Sequence, residues 1–494
     1  MKKLLYLLFV LPSLLFSQWM DITDKIYGDK DADLFGWATA INDEGDVIAV
    51  SALMDYNADS GYVKVLQKVN DEWIQVGETI INENIGNENG YALALNAEGT
   101  IVAVTARYEG SNVNGVTRVY ELLNGEWMLL GEPILGSNNS SSGDSIALNA
   151  SGTILAVGSA NASSPANSSG EIRIYQYDGV SWEQLGSNIA GESSFHYFGY
   201  SVGLNATGDI LVGGAQRGNS NSSGYVKAYR FQNGEWQQLG QKINGIELGA
   251  QFGKRVAINN EGNIIAGLAG ANSTQNSIGY ARIYKLNNNS WIQKGNTIVQ
   301  TEVNDFLYAS GFDLNGNGNV LAIGAYGNNG SADYFGGKVT VYQLLNDSWD
   351  IVGEKIEGDV TGSGFGRSIG LNNYGNILVS GAPFPFANDP EDPLIGPGFV
   401  RVLNTDDIVL DTNKNNLESI VMFPNPTNGI FQVTINPSSV LKATVFDALG
   451  RKIDVLADNT PLNMTFDISE FQVGLYLIKL ETKDGVLVKS IIKK

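Results

Sequence analysis

The chain has 494 residues, of which 59 are glycine, 17% are charged and none is cysteine, and its formal net charge is −21. That balance excludes nucleic acid and anionic membranes as electrostatic partners and removes disulfide, thiol and cysteine–zinc chemistry. Divalent cations and neutral glycans stay compatible, and low charge with abundant Gly, Trp and Tyr points to β-structure with many turns.

In chain order, MKKLLYLLFVLPSLLFSQ carries two lysines and then an apolar run too short for a comfortable membrane span. Residues 1–17 read as a signal peptide cleaved after Ser17. No later stretch reaches that length, so the mature chain is expected to be secreted or held at the outer-membrane surface, with no transmembrane segment. WMDITDKIYG, from Trp19 to Gly28, follows directly.

A repeat comes next. Trp73, Trp127, Trp182, Trp236, Trp291 and Trp349 recur at 54 to 58 residues, each with Gly four and Ile seven residues later. A second register runs through Asn42, Asn96, Asn149, Asn205, Asn259, Asn315 and Asn372, each with Gly three residues on. Within one unit, FGYSVGLN, DILVGGA, YVKAYRF and WQQLGQKI read as four strands separated by Asn/Gly turns. Four antiparallel strands per unit of about 54 residues make a propeller blade. The fold class is therefore all-β: a seven-bladed β-propeller, residues 18–408, followed by a small β-sandwich. Only six Asn-bearing units have a downstream Trp strand. Trp19 precedes Trp73 by 54 residues and Ile26 follows Trp19 by seven, so the opening stretch is expected to supply the missing strand of blade seven and close the ring.

On the inner strand, the residues two and four before each repeat Asn are almost all small, and we expect that face to line the axial channel. Arg255 and Asp313 are its charged exceptions, in adjacent blades, and are expected to pair across the channel, with ligand contact as the alternative. The first hairpin, NDEGD, keeps Asp43, Glu44 and Asp46. It is the one loop where calcium can be considered, whereas N-x-x-G elsewhere implies a structural turn. No other cofactor is expected. His196, the single histidine, reads as a solvated loop residue.

Loops between second and third strands, together with the connections between blades, should crowd one face. Tyr56, Arg107, Tyr108, Arg217, Tyr326, Phe384, Phe386, Asp389, Glu391 and Asp392 are its candidate ligand-binding residues, because aromatic, Arg and carboxylate groups suit sugars or a protein surface.

After residue 408, residues 409–418 read as a polar linker, and alternating strands then fill residues 419–494. Pro424, Asn425, Pro426 and Gly429, then Asp447, Gly450 and Arg451, then Gly474, Tyr476 and the basic end Lys493–Lys494 carry a resemblance to the type A C-terminal sorting domain of the Bacteroidota type IX secretion system. The resemblance implies export across both membranes, with the secretion machinery as a partner. The propeller units resemble FG-GAP repeats of integrin α-type propellers through Phe35–Gly36, Phe198–Gly199, Phe252–Gly253 and Phe365–Gly366, and through GGA, IGA and SGAP further on. In that family the first hairpin is a calcium loop, a pattern that most of these hairpins depart from. The sequence reads best as a non-enzymatic binding or adhesion propeller for a glycan or protein. A polysaccharide hydrolase or lyase, or a purely structural surface protein, is the alternative.

Overall fold

The computed structural model describes residues 19–53, 61–81, 88–110, 114–137, 140–163, 165–218, 223–270, 279–299, 309–327, 335–384, 396–405, 421–423, 426–434, 440–447, 451–453, 456–459, 463–482 and 485–494. Among them every regular element is a strand, and no helix is long and apolar enough to cross a membrane. Two compact units form, residues 1–408 and 409–494.

The first unit holds seven antiparallel sheets, each built as the repeat dictates. In the fourth blade, Phe198–Leu204, Ile210–Ala215, Tyr225–Gln232 and Glu235–Asn244 pair in sequence order. The repeat Asn ends every inner strand and is buried. In blade four its Oδ1 accepts the Ile210 N–H at 2.9 Å while its Nδ2 donates to Thr207 and Asp209. The Gly three residues on has φ between +71° and +83° in all seven blades, a conformation that glycine adopts at least cost.

A ring of seven main-chain hydrogen bonds proves the closure. The residue after each Asn donates its N–H to its counterpart's carbonyl one blade on: Asp43 to Ala97, Ala97 to Ala150, Ala150 to Ala206, Ala206 to Asn260, Asn260 to Gly316, Gly316 to Asn373, and Asn373 back to Asp43, at 3.0–3.1 Å. Asn260 Nδ2 donates to Asn373 Oδ1 across this ring at 2.9 Å. A β-carbon on Gly316 would meet that amide pair at 1.6 and 2.7 Å. This end of the channel is thereby narrowed.

The rim uses the second register. Indole N–H groups of Trp127, Trp182, Trp236, Trp291 and Trp349 donate to carbonyls of the preceding blade, those of Val76, Leu130, Leu185, Leu239 and Lys294, at 2.8–2.9 Å. The Gly four residues after each Trp makes room for the next one: a β-carbon on Gly77 would lie 2.7 Å from Trp127 Cδ1, and one on Gly240 2.7 Å from Trp291 Cδ1. The spacing W-x-x-x-G is thus a packing rule between neighbouring blades.

Blade seven is completed by the chain's beginning. Met20–Asp21 pairs with Leu403–Asn404, and Ile26–Tyr27 with Phe399–Val400. Trp19 is 5% exposed, within the core formed by Val352, Ile356, Leu378 and Leu403. Arg401 clamps both oxygens of Asp21, at 2.8 and 2.7 Å. The seam is imperfect, because the buried indole nitrogens of Trp19 and Trp73 have no partner. Thr23 stands where other blades place the Gly beneath the next Trp.

The second unit has two four-stranded sheets enclosing Phe431, Val433, Val445, Phe466, Ile468, Tyr476, Ile478 and Ile491.

Candidate functional site

Six of the seven inner strands start at a glycine in the left-handed region: Gly36, Gly90, Gly143, Gly199, Gly253 and Gly366, with φ from +85° to +96°. A β-carbon there would strike the preceding blade, 2.4 Å from the Glu171 carbonyl oxygen for Gly199 and 2.4 Å from that of Tyr225 for Gly253. The Phe before four of these glycines is at most 1% exposed. It stacks on a Tyr of its own blade in three of them, Phe35 on Tyr62, Phe198 on Tyr225 and Phe252 on Tyr280, at 5.7–6.2 Å. The FG pair therefore pins each strand start against the neighbouring blade, and the next residue emerges at the open end of the channel.

Those next residues are Trp37, Tyr91, Asp144, Tyr200, Lys254, Ser310 and Arg367, one per blade. All but Lys254 line an axial cavity of about 380 Å³, to which Arg255 also contributes. One arc of this collar, over blades seven, one and two, alternates cations with rings. The Arg367 guanidinium lies 4.0 Å from the Trp37 ring centre, Trp37 lies 6.1 Å from Tyr91, and Arg107 lies 3.9 Å from Tyr91 and 4.5 Å from Tyr108. Phe384 meets Trp37 edge-on at 6.4 Å and Tyr326 at 6.0 Å.

Charge is unevenly placed around the mouth. The carboxylates of Glu88 and Asp144 both engage Arg107, at 3.0 and 3.5 Å. Burial pushes the Asp144 carboxyl up to about 6 despite that cation. Across the mouth, among the described residues, Arg255 donates only to main-chain oxygens, Ser310 O at 2.8 Å and Lys254 O at 3.0 Å, and its guanidinium lies 5.7 Å from the Tyr200 ring. Burial and then Arg255 and Arg367 press the Lys254 ammonium down to about 8, and burial followed by Arg255 lowers Arg367.

Several sequence expectations are corrected here. Arg255 and Asp313 do not pair: Asp313 accepts the N–H groups of Leu314 and Leu371, at 2.9 and 2.8 Å. The small residues two and four before each Asn line the axial cavity, as expected, and several of them also lie where neighbouring blades touch. A β-carbon on Gly203 would meet Ile258 at 3.1 Å, one on Gly370 would meet Ile41 at 2.9 Å, and Ser201 Oγ accepts the Val256 N–H at 3.0 Å. Asp43, Glu44 and Asp46 do not converge. Asp43 is in the main-chain ring, Glu44 accepts from Tyr374 at 3.2 Å, and Asp46 accepts from Asn42 at 2.8 Å. Among the described residues no three acids or histidines could share a metal. His196 is half-buried, its ring edge-on to Tyr225 at 5.7 Å and its Nδ1 without a partner, and burial lowers its pKa.

Of the loop candidates, Arg107, Tyr108, Tyr326 and Phe384 come together at the mouth. Arg217 instead lies beside Tyr197, 5.6 Å from its ring. Tyr56, Phe386, Asp389, Glu391 and Asp392 lie outside the described residues. The collar itself escaped the sequence reading, although one signal was present: Trp37 is the only tryptophan outside the 54-residue register.

In the second unit, Lys493 is 6% exposed and its ammonium donates to the carbonyl oxygens of Ser469 and Phe471. Thr427 N donates to Ile492 O at 2.8 Å, and Lys494 N to Thr427 O at 2.9 Å, so the turn through Gly429 is bound to the chain's basic end. Tyr476 is buried and donates to Gln472 O at 2.5 Å, while Gly474 pairs with Lys493 and Asp447 with Tyr476. Pro426 and Lys494 are exposed, and Pro424, Asn425 and Gly450 lie outside the described residues. Residues 421–494 match the family of secretion system C-terminal sorting domains. The chain carries a type IX secretion sorting domain. It is exported by that system to the cell surface or extracellular space, and the sorting domain is its point of contact with the machinery.

No curated protein matches the chain in sequence. Among solved structures, Kuenenia stuttgartiensis hydrazine synthase is similar at a TM-score of 0.50 and 12% identity, covering 77% of this chain and 97% of that one. The WD40 repeats of RRP9 give 0.48 and 11%, over 78% and 100%. A Bacteroides uniformis protein described as a 6-phosphogluconolactonase gives 0.47 and 14%, over 66% and 86%. At such identities a likeness speaks to the fold alone, and the last two scores add no argument.

Proposed function

We propose that this exported propeller is a binding protein that takes a saccharide into the open end of its axial channel. One observation carries the reading: Trp37, Tyr91 and Tyr200 line a cavity of about 380 Å³, with Tyr326 and Phe384 beside Trp37 and Arg367. Aromatic faces beside a few fixed polar groups suit the apolar faces and hydroxyls of a pyranose, and the size lies within the range of small-molecule pockets, about 300–1,000 Å³. The likeness of the FG pairs to FG-GAP repeats agrees with a recognition role.

A hydrolase would need two carboxylates facing one another across the substrate, about 5–9.5 Å apart. Glu88 and Asp144 are instead both held on Arg107, which favours binding over hydrolysis. The test is calorimetry of the full chain against a panel of plant and algal oligosaccharides, with reducing ends measured in parallel. Saturable binding that is weakened in Trp37→Ala and Tyr91→Ala, with no new reducing ends, supports the reading. Turnover, or binding indifferent to both substitutions, overturns it.

A further inference from the structure

We infer that the saccharide taken at the mouth is acidic, its carboxylate or sulfate seated on the arc of Arg255 and Arg367, which line the cavity, with Lys254 adding positive charge from outside that lining. This rests on the saccharide reading above and adds the chemical class of the ligand.

The three cations come from blades five and seven and flank Ser310 of blade six. Among the described residues none of them meets a carboxylate. Arg255 is turned onto main-chain oxygens, Arg367 lies against Trp37, Glu88 and Asp144 are both taken by Arg107, and Asp313, which also lines the cavity, accepts main-chain N–H groups instead. The sequence has 52 Asp and Glu against 31 Lys and Arg, so cations left without a carboxylate partner run against the composition. Folding does not require charge there either, because four other blades place Trp, Tyr, Tyr and Ser at the same position. Buried cations that also repel one another are unfavourable without an anion: burial first, and then the neighbouring cations, lower Lys254 and Arg367. An anionic ligand relieves that repulsion.

The ring contacts also fix geometry. Arg367 lies over Trp37 and Arg255 sits near Tyr200, so each planar guanidinium is oriented by a ring. Such a fork suits the two oxygens of a carboxylate or sulfate, while the aromatic residues of the lining suit the sugar that carries it. A net charge of −21 repels anionic polymers at long range, yet at physiological salt that field fades within about 8 Å, so the arc acts on the unit that has entered the mouth.

The test uses the full chain in calorimetry with four probes: oligogalacturonate, the same oligomer with its carboxyls reduced to alcohols, a sulfated galactan oligosaccharide, and oligoglutamate. At least one acidic oligosaccharide should bind about ten- to a hundredfold tighter than the reduced oligomer. Arg367→Gln should erase most of that preference, Lys254→Met should reduce it by removing one nearby charge, and Trp37→Ala should weaken acidic and neutral oligomers alike. Comparing galacturonate with sulfated galactan separates carboxylate from sulfate. Should acidic and reduced oligomers bind equally, the acidic assignment fails while the saccharide reading stands. If no saccharide binds, both fail, and tighter binding of oligoglutamate would reassign the arc to an acidic protein segment. Lys254→Met is informative even if Arg367→Gln does not fold, because it removes one cation by a substitution of similar length.

Discussion

Lys254→Met should make the unliganded propeller more stable at neutral pH. The Lys254 ammonium is pushed from its usual 10.5 down to about 8 by burial, Arg255 and Arg367. A lysine whose folded value lies below its unfolded value binds its proton less tightly in the folded state. Folding is then penalised wherever the unfolded chain keeps that proton. The penalty is full below about pH 7, shrinks between pH 8 and 10.5, and vanishes above. The lowering corresponds to about 3 kcal/mol, an upper bound, so the expected gain is roughly 1–3 kcal/mol. Removing the charge should return that amount, because Met has similar length and needs no partner. Urea denaturation followed by tryptophan fluorescence suits the measurement, since all eight tryptophans lie between residues 19 and 349. The midpoint should rise for the variant at pH 7, and the difference should fade towards pH 10. A variant less stable at pH 7, or a difference that ignores pH, would refute the claim that Lys254 is held against local repulsion.

Other perturbations test the frame. Trp19→Ala empties a buried site at the seam and should cost about 3–5 kcal/mol, and deleting residues 18–28 should lower the melting temperature sharply; unchanged melting of the deletion would disprove closure by the first strand. Burial raises the Asp313 carboxyl to about 6, so its charge is unfavourable at pH 7 and that cost is relieved as pH falls through 6 towards 3.8. Asp313→Asn keeps an acceptor for Leu371 and should leave the urea midpoint at pH 7 unchanged or higher, while Asp313→Ala strands that N–H and should cost about 1–3 kcal/mol. Gly186 has φ +75° and sits 3.0 Å, at the β-carbon position, from Trp236 Cδ1. Gly186→Ala should therefore destabilise by at least about 1 kcal/mol in the same assay.

The sequence by itself determined the frame. The spacings of Trp, Gly, Ile and Asn specify four strands per blade, and their incomplete last copy sends Trp19 to the seam. These features are legible because each repeats, and because strand pairing within a blade is local. It also determined the sorting domain, whose motif residues lie close together in the chain. The collar left no repeating trace, since Trp, Tyr, Asp, Tyr, Lys, Ser and Arg occupy one position in successive blades. Pattern puts Arg255 and Asp313 on the channel face, where both line the cavity, but it could not give their partners, which are main-chain groups of the next blade. Only ring closure decides those contacts. It sets Arg367 on Trp37, 330 residues away in sequence, and gathers three cations that no local signal relates.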